Sequence, residues 1–128
     1  MPASDHILVV DDDADTREGM CLALEINGAR VTTADSADAA LAALARERPQ
    51  AMVSDIGMPG GTGLDLIRAV REQFGELPAI AISGYASLED REAALAAGFV
   101  EHLAKPVDPA VLLAELRRVV DANSPRAA

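Results

Sequence analysis

The sequence contains few residues of several kinds, and each shortage excludes a class of protein. Its 128 residues include one cysteine, no tryptophan, and 11 lysines and arginines against 21 aspartates and glutamates. The lone Cys21 cannot form a disulfide bond within the chain, which is typical of proteins from a reducing compartment. The formal net charge of −10 argues against non-specific nucleic-acid binding, because such binding depends on cationic patches that neutralise phosphates.

Long apolar segments are missing as well. No apolar run approaches the roughly 18 residues that a membrane-spanning helix needs, so we expect no membrane insertion of this chain. The first residues lack the basic and apolar regions of a signal peptide. Half of the residues are hydrophobic and a quarter are charged, as in folded globular domains. We therefore expect one cytoplasmic domain over residues 1–128, with a core of about 6–121 and short flexible termini.

Short apolar runs alternate with longer helical patterns along the chain. The predicted strands cover residues 6–10, 30–34, 50–55, 78–83 and 98–103. The predicted helices cover residues 14–26, 37–46, 64–73, a segment that begins near Ser87, and 109–120. Five such units with tight connections imply a parallel sheet with helices on both faces. Right-handed crossovers then give a flavodoxin-like, doubly wound (βα)5 fold with strand order 2-1-3-4-5.

Helix boundaries carry recognisable signals. Asn27-Gly28 is a typical helix stop, because glycine adopts the left-handed conformation without strain. Ser36 is placed to cap the second helix, and Ser87 with Asp90 three residues later is similar to a capping box. Asp108-Pro109 combines a capping residue with proline at the first helical position.

Polar side chains follow four of the five predicted strands, at the edge where ligands bind in such sheets. Asp11-Asp12 follows the first strand, Asp55 ends the third, Ser83 ends the fourth, and Lys105-Pro106 follows the fifth. The expected strand order makes strands one and three neighbours, so three carboxylates come together. Two like charges about 4 Å apart repel by roughly 4 kcal/mol at an effective dielectric constant near 20. A divalent cation such as Mg²⁺ would offset this repulsion with few protein ligands and several waters.

Simpler interpretations exist for some of these residues. Asp13 and Asp15 fit an acidic first turn that answers the dipole of a helix. Ser83 could end its strand by bonding the backbone. Lys105 is the only lysine among 11 cationic residues, and a compact cation on a flexible stem suits a phosphate or carboxylate. Pro106 is a candidate for a cis peptide bond that would fix where Lys105 points.

Four motifs in this order and spacing resemble the receiver domain of two-component response regulators. They are Ile7-Leu8-Val9-Val10-Asp11-Asp12, Ser54-Asp55-Ile56-Gly57-Met58-Pro59 with Gly63, Ile82-Ser83-Gly84, and Lys105-Pro106. The resemblance covers roughly residues 6–121 and agrees with the fold expected from the strand pattern. Its region 98–108 is most similar to receivers attached to hybrid sensor histidine kinases.

The resemblance implies a role for each residue of the strand ends. Asp55 would accept a phosphoryl group from a phosphohistidine, while Ser83 and Lys105 would each contact a phosphoryl oxygen. The metal ligands would be Asp11, Asp12, Asp55 and the backbone carbonyl of Gly57, around Mg²⁺ or Mn²⁺. His102 stands where the family more often has tyrosine or phenylalanine, at a position that switches together with Ser83. A half-buried histidine satisfied locally is the equally weighted alternative for His102.

The resemblance also implies partners and context. The phosphoryl donor would be a sensor histidine kinase or a histidine phosphotransfer protein, and the chain would be a switch rather than an enzyme. It would pass on the signal or the phosphoryl group in a phosphorelay, as a monomer or weak dimer without nucleic acid. The chain would be a stand-alone regulator or the cytoplasmic part of a membrane-bound hybrid kinase. We expect the donor to dock beside the first helix, around Ala14, Arg17 and Met20.

Rival functions match the sequence less well. A haloacid-dehalogenase phosphatase needs Asp-x-Asp-x-Thr/Val after the first strand, and here Asp15 and Arg17 occupy the fifth place of the two possible frames. A P-loop nucleotidase needs Gly-x-x-x-x-Gly-Lys-Ser/Thr, which is absent from the sequence. A flavin-binding module is also disfavoured, because its phosphate would lie against the turn after the first strand, and the acidic residues of that turn would repel it. An inert pseudo-receiver is disfavoured because every expected site position is occupied.

Overall fold

The computed structural model describes residues 5–57, 63–84 and 88–123. Its five strands are β1 His6–Val10, β2 Arg30–Ala34, β3 Ala51–Asp55, β4 Ala79–Ser83 and β5 Glu101–Ala104. Its five helices are α1 Ala14–Ile26, α2 Ala37–Arg46, α3 Gly63–Phe74, α4 Leu88–Ala97 and α5 Pro109–Asn123. Strands and helices alternate along the chain, as the apolar pattern predicts.

All strand pairs are parallel, and the sheet order is β2-β1-β3-β4-β5. The expected flavodoxin-like (βα)5 fold is therefore confirmed. The chain leaves β1 on one side for β2 and returns on the other side to β3. The carboxyl ends of β1 and β3 consequently lie side by side, which is the place where open α/β sheets bind ligands.

Two apolar layers cover the two faces of the sheet. One layer packs α2, α3 and α4 against residues such as Leu8, Met52 and Ala81. The other packs α1 and α5 against residues such as Val9, Val53 and Ile82. Successive residues of one strand thus enter opposite layers, and β1, β3 and β4 are buried along their whole length. A rigid central sheet holds the strand ends in place.

The capping predictions that fall on described residues are confirmed. Gly28, which follows the C-cap residue Asn27 of α1, has a φ of 92°, and Ser36 accepts a hydrogen bond from the backbone N–H of Ala39. Asp108 accepts one from the N–H of Ala110 at 2.9 Å. Asp13 caps α1 by accepting from the N–H of Thr16 at 3.0 Å. The proposed capping box at Ser87 lies outside the described residues.

The fifth strand begins later than the sequence suggests, at Glu101 rather than at residue 98. Gly98 has a φ of 129° and donates its N–H to the carbonyl of Ala94, so it ends α4 instead of starting the strand. Phe99 also donates to the carbonyl of Ala94. The apolar run at 98–100 is thus a helix terminus followed by a connector. At the other end, α5 extends to Asn123, three residues further than expected.

No helix in the described part of the chain combines the length and the apolar character needed to cross a membrane.

Candidate functional site

The register between β1 and β3 brings three carboxylates together. Val10 lies opposite Ser54, so the residues that follow each of them, Asp11 and Asp55, are neighbours. Carboxylate oxygens of Asp11, Asp12 and Asp55 all lie within 4.8 Å of one another. Asp11 and Asp55 are buried, whereas Asp12 is exposed. The acidic cluster expected from the strand order is therefore present, with one of its three members open to solvent.

Asp11 is held from several sides. Its Oδ1 accepts a hydrogen bond from the N–H of Asp13 at 2.9 Å, and its carbonyl oxygen accepts one from the guanidinium of Arg17 at 2.8 Å. Its Oδ2 is buried and lies 3.1 Å from Nζ of Lys105, with which it forms an ion pair. Burial raises the pKa of Asp11, although the hydrogen bond from Asp13 and the charge of Lys105 oppose this shift.

Asp55 presents its two oxygens to different partners. Oδ1 accepts a hydrogen bond from the N–H of Gly57 at 3.1 Å, and Oδ2 accepts one from Nζ of Lys105 at 3.2 Å. The strand continues its ladder beyond Asp55, since Ile56 donates to the carbonyl of Ile82. The carboxylate is therefore fixed on a rigid strand end, where an attacking oxygen must be positioned accurately.

Lys105 reaches this cluster from the far side of β4. Its backbone N–H donates to the carbonyl of Ser83 at 2.8 Å, which extends the pairing of β5 with β4 by one residue. The Lys105–Pro106 peptide bond is cis, as the sequence suggested. Burial alone would lower the pKa of the Lys105 ammonium, but its pairing with Asp11 and Asp55 outweighs burial and raises that pKa. One cation thus serves two buried carboxylates.

Besides the group formed by Lys105, Asp11 and Asp55, the site contains a pair of buried polar side chains, Ser83 and His102. Oγ of Ser83 and Nε2 of His102 are 2.8 Å apart. Both side chains are buried, and they lie on neighbouring strands. The sequence predicted that the two residues act together but gave no sign of a direct hydrogen bond. Only the relative register of β4 and β5 makes this contact.

A cavity of about 260 Å³ opens directly against these groups. Asp55, Ser83 and Lys105 line it together with residues of α3 and α4, among them Leu64, Asp90 and Ala93. A carboxylate, a hydroxyl and an ammonium therefore surround one space large enough for a phosphoryl group. Asp90 was expected as part of a helix cap, and its place in this cavity was not foreseen.

The cluster meets the requirements of a magnesium site. Mg²⁺ prefers oxygen ligands and retains waters, and here two fixed carboxylates lie beside an exposed third one. The buried Oδ2 of Asp11 forms an ion pair with Lys105 but accepts no hydrogen bond in the described part of the structure, so it keeps lone pairs that a bound ion would use. The expected role of the Gly57 carbonyl as a further ligand remains a prediction.

The expected docking residues on α1 behave differently from one another. Ala14 is exposed, but Met20 is buried at 7% exposure and packs in the core beneath α1. Arg17 is half-buried because its guanidinium bonds the carbonyl of Asp11, so it supports the acidic cluster. A cavity of about 490 Å³ lies beside these residues, lined by Gly19, Ala23 and the segment that includes Pro106 and Val107.

Gly63 has a structural role that sequence reasoning did not identify. It is the first residue of α3 and is buried. A Cβ atom at this position would overlap the carbonyl oxygen of Asp55 and lie 2.8 Å from the Cα of Ile56. Its N–H donates to the carbonyl of Ile56 at 2.9 Å. The start of α3 therefore packs directly against the backbone that carries Asp55.

Comparison with known proteins identifies relatives of the same kind. Residues 7–117 match the family model described as the response regulator receiver domain. The chain is 54% identical over 109 residues to an uncharacterised 14.6 kDa protein of Leptolyngbya boryana, and the match covers 84% of this chain and 83% of that protein. It is 37% identical over 120 residues to the response regulator MprA of Mycobacterium leprae, covering 94% of this chain and 53% of MprA. The chain thus spans about half the length of MprA.

Solved structures agree with this result. The receiver domain of the Francisella response regulator 1452 superposes with a TM-score of 0.89 at 26% identity, covering 94% of this chain and 99% of that one. The chemotaxis protein CheY4 of Vibrio cholerae gives a TM-score of 0.86 at 32% identity, covering 91% and 98%. Apart from the uncharacterised Leptolyngbya boryana protein, these relatives are response regulators and a chemotaxis protein, so they lend no support to the expected likeness to hybrid kinase receivers.

Proposed function

The chain belongs to the response regulator receiver family of two-component signalling, and from this premise we propose that Asp55 is its phosphoacceptor. Receiver domains are phosphorylated switches rather than classical enzymes, and they interact with histidine kinases. The single observation that carries the proposal is the contact of Asp55 with Lys105 inside a cavity that Ser83 also lines. A nucleophile, a cation and a hydroxyl hydrogen bond donor converge there.

In the proposed reaction, a carboxylate oxygen of Asp55 attacks the phosphorus of a phosphohistidine. The phosphorus–nitrogen bond breaks and an aspartyl phosphate forms, while the electron pair of the broken bond stays on the imidazole of the donor. Phosphoryl transfer depends chiefly on positioning and on neutralising charge at the phosphoryl oxygens. Lys105 supplies a positive charge to one such oxygen, and the hydroxyl of Ser83 donates to another.

We assign Asp11, Asp12, Asp55 and the backbone carbonyl of Gly57 as the Mg²⁺ ligands, with Mn²⁺ as a substitute. Receiver domains typically bind Mg²⁺ at an aspartate cluster of this kind. When bound, the ion would offset negative charge on the phosphoryl oxygens. Asp13 stabilises this arrangement by donating its backbone N–H to Asp11. The guanidinium of Arg17 also holds Asp11 in place, because it donates a hydrogen bond to the backbone carbonyl of Asp11.

The test of the proposal is modification by a small phosphoryl donor. Incubation with Mg²⁺ and acetyl phosphate should add one phosphoryl group, detected by intact-protein mass spectrometry, and Asp55→Asn should abolish the addition. Asp38→Asn is the matched control, because Asp38 is an aspartate in the first turn of α2 and is not a member of the carboxylate cluster. An unchanged mass of the unsubstituted protein, or equal labelling of Asp55→Asn, would refute the assignment.

The phosphoryl donor in the cell is proposed to be a sensor histidine kinase or a histidine phosphotransfer protein that docks at α1. Besides the residues that line this cavity, α1 exposes two large apolar side chains, Leu22 at 60% and Ile26 at 74%. Leu22 lies three residues after Gly19, and Ile26 lies three after Ala23, so all four share one face. An apolar groove beside the phosphoacceptor edge fits a helix of such a partner.

Phosphotransfer measurements can test this docking face. Leu22→Glu should slow transfer from a phosphorylated cognate donor while labelling by acetyl phosphate stays unchanged. Leu95→Glu, on α4, is the control with a similar exposed leucine on another helix. Equal transfer rates for the two variants would show that the donor does not dock at this face of α1.

The proposal covers two chain contexts, a receiver of a hybrid sensor histidine kinase and a stand-alone regulator in a phosphorelay. The two differ in what adjoins this segment in the gene. A kinase core in the same reading frame supports the first context. A regulator gene without one supports the second.

A further inference from the structure

The buried hydrogen bond between Ser83 and His102 restricts what Ser83 can do. The 2.8 Å contact joins Oγ of Ser83 to Nε2 of His102, and the two side chains are 6% and 9% exposed. Ala81 lies opposite His102 in the β4–β5 register, and Ser83 follows two residues later on the same face of β4. The sheet itself therefore fixes the distance between the two side chains.

Two hydrogen arrangements satisfy this pair of atoms. In the first, the Ser83 hydroxyl donates to an unprotonated Nε2. In the second, Nε2 carries the hydrogen and donates it to Oγ of Ser83. A serine hydroxyl has a single hydrogen, so the first arrangement leaves none for any other acceptor. In the second arrangement the hydroxyl hydrogen is not committed to His102.

A phosphoryl group on Asp55 would be such an acceptor, since its oxygens carry no hydrogen to donate. We propose that His102 is a positioning residue, which donates its Nε2 hydrogen to Oγ of Ser83 in the phosphorylated protein and thereby directs the Ser83 hydroxyl hydrogen to the phosphoryl group. This inference rests on the proposed function, because it requires phosphorylation of Asp55 and a contact from Ser83. His102 touches neither the phosphoryl group nor the reacting oxygen and acts through Ser83.

Physical arguments favour a donor at this position over a purely apolar side chain. Oγ of Ser83 is buried, and the loss of a hydrogen bond to a buried oxygen costs free energy. A hydroxyl that accepts one hydrogen bond also becomes a stronger donor in the next. A histidine in the Nε2–H form supplies both effects without moving. Phenylalanine, which has a similar ring but no donor, supplies neither.

The hydrogen position in the unsubstituted protein can be observed directly. Beryllofluoride with Mg²⁺ serves as the phosphoryl mimic, and ¹⁵N-edited NMR of the histidine ring distinguishes the Nε2–H and Nδ1–H tautomers. The inference requires His102 to be in the Nε2–H form in the beryllofluoride-bound protein. An Nδ1–H form of His102 in that state, with beryllofluoride bound, would overturn the inference and leave the phosphoacceptor assignment intact.

Variants test the energetic consequence. His102→Phe should weaken beryllofluoride binding about three- to tenfold, the range expected from the loss of one hydrogen bond. His102→Gln should restore binding to within about twofold, because the glutamine amide places an N–H near the position of Nε2. In a Ser83→Ala background, His102→Phe should have no further effect, since the two residues act as one unit.

The outcomes separate the inference from the proposed function. An effect of His102→Phe that persists in the Ser83→Ala background would show a structural role of the ring and would contradict the inference. Equal binding of beryllofluoride by His102→Phe and the unsubstituted protein would also contradict the inference. If the unsubstituted protein bound no beryllofluoride and accepted no acetyl phosphate, the proposed function would fail, and the inference would fail with it.

Discussion

Nζ of Lys105 lies 3.2 Å from Oδ2 of Asp55, although the two residues are 50 positions apart and β4 separates their strands. The same nitrogen lies 3.1 Å from Oδ2 of Asp11. One flexible side chain therefore spans the width of two strands to reach the acidic cluster. Within the described site, the ammonium group of Lys105 pairs with both buried carboxylates, Asp11 and Asp55.

We predict that Lys105→Met slows labelling of Asp55 by acetyl phosphate by at least about tenfold, because the loss of one preorganised charge-stabilising group commonly costs a factor of 10² to 10³. Lys105→Arg should give an intermediate rate, since it keeps the charge but carries a wider, planar head group. Initial rates of labelling at saturating Mg²⁺ provide the measurement. A rate for Lys105→Met equal to that of the unsubstituted protein would exclude this role.

We predict that Mg²⁺ raises the melting temperature of this protein. An ion present at one hundred times its dissociation constant adds about 2.7 kcal/mol to the free energy of unfolding. Asp12→Ala should remove most of this increment, because it deletes the exposed member of the cluster. Thermal unfolding with and without Mg²⁺ provides the measurement.

Asp13→Ala is the matched control for the magnesium experiment. Asp13 caps α1 through Thr16 and lies outside the carboxylate cluster. Its loss should lower the melting temperature in both conditions while the increment from Mg²⁺ persists. A melting temperature that does not respond to Mg²⁺ in the unsubstituted protein would count against the metal site.

We predict that Gly63→Ala destabilises the fold and slows labelling of Asp55, because the new methyl group would displace the backbone at Asp55 and Ile56. Overpacking of this kind typically costs about 1–3 kcal/mol. Gly19→Ala is the control, since a Cβ at Gly19 meets no atom within 4 Å and alanine favours the helix by about 1 kcal/mol. Urea unfolding should therefore give a lower free energy of unfolding for Gly63→Ala and a higher one for Gly19→Ala. Acetyl phosphate labelling of both variants provides the second measurement. Equal stability of the two variants would refute the close contact.

We predict that the stability falls as the pH drops below about 6.5, in part because of His6. Burial, followed by the charge of Arg30, lowers the pKa of His6 from its ordinary value of 6.5, although Glu47 opposes this shift. The unfolded chain therefore binds a proton at a pH where folded His6 remains neutral, so acid favours unfolding. Stability from this residue is present above about 6.5 and is lost as the pH falls.

The surroundings of His6 suggest the variant for this test. Nε2 of His6 is 2.6 Å from Oγ1 of Thr32, and Nδ1 is 3.9 Å from Glu47, in a small cavity that Arg46 also lines. His6→Gln can keep the contact with Thr32 but cannot titrate. We expect the difference in unfolding free energy between pH 7.5 and pH 5.5 to be smaller in His6→Gln than in the unsubstituted protein. An unchanged difference would show that His6 does not contribute.

The sequence by itself determined the strand order and the membership of the acidic cluster. Apolar runs of about five residues, alternating with helical patterns, admit few arrangements other than a doubly wound parallel sheet. In that fold, residues at the carboxyl ends of neighbouring strands must lie together. Asp11, Asp12 and Asp55 could therefore be predicted from their positions alone. Lys105 stood out because it is the one lysine in the chain.

Tertiary structure alone decided the contacts that depend on register and on close packing. The hydrogen bond between Ser83 and His102 follows from how β4 and β5 align, which no local pattern encodes. The bond from Arg17 to the carbonyl of Asp11 depends on how α1 is placed against the sheet. The enclosure of Gly63 depends on where α3 begins. Periodicity specifies which face of an element is buried, whereas distances of 3 Å between elements are set by the packing of the whole domain.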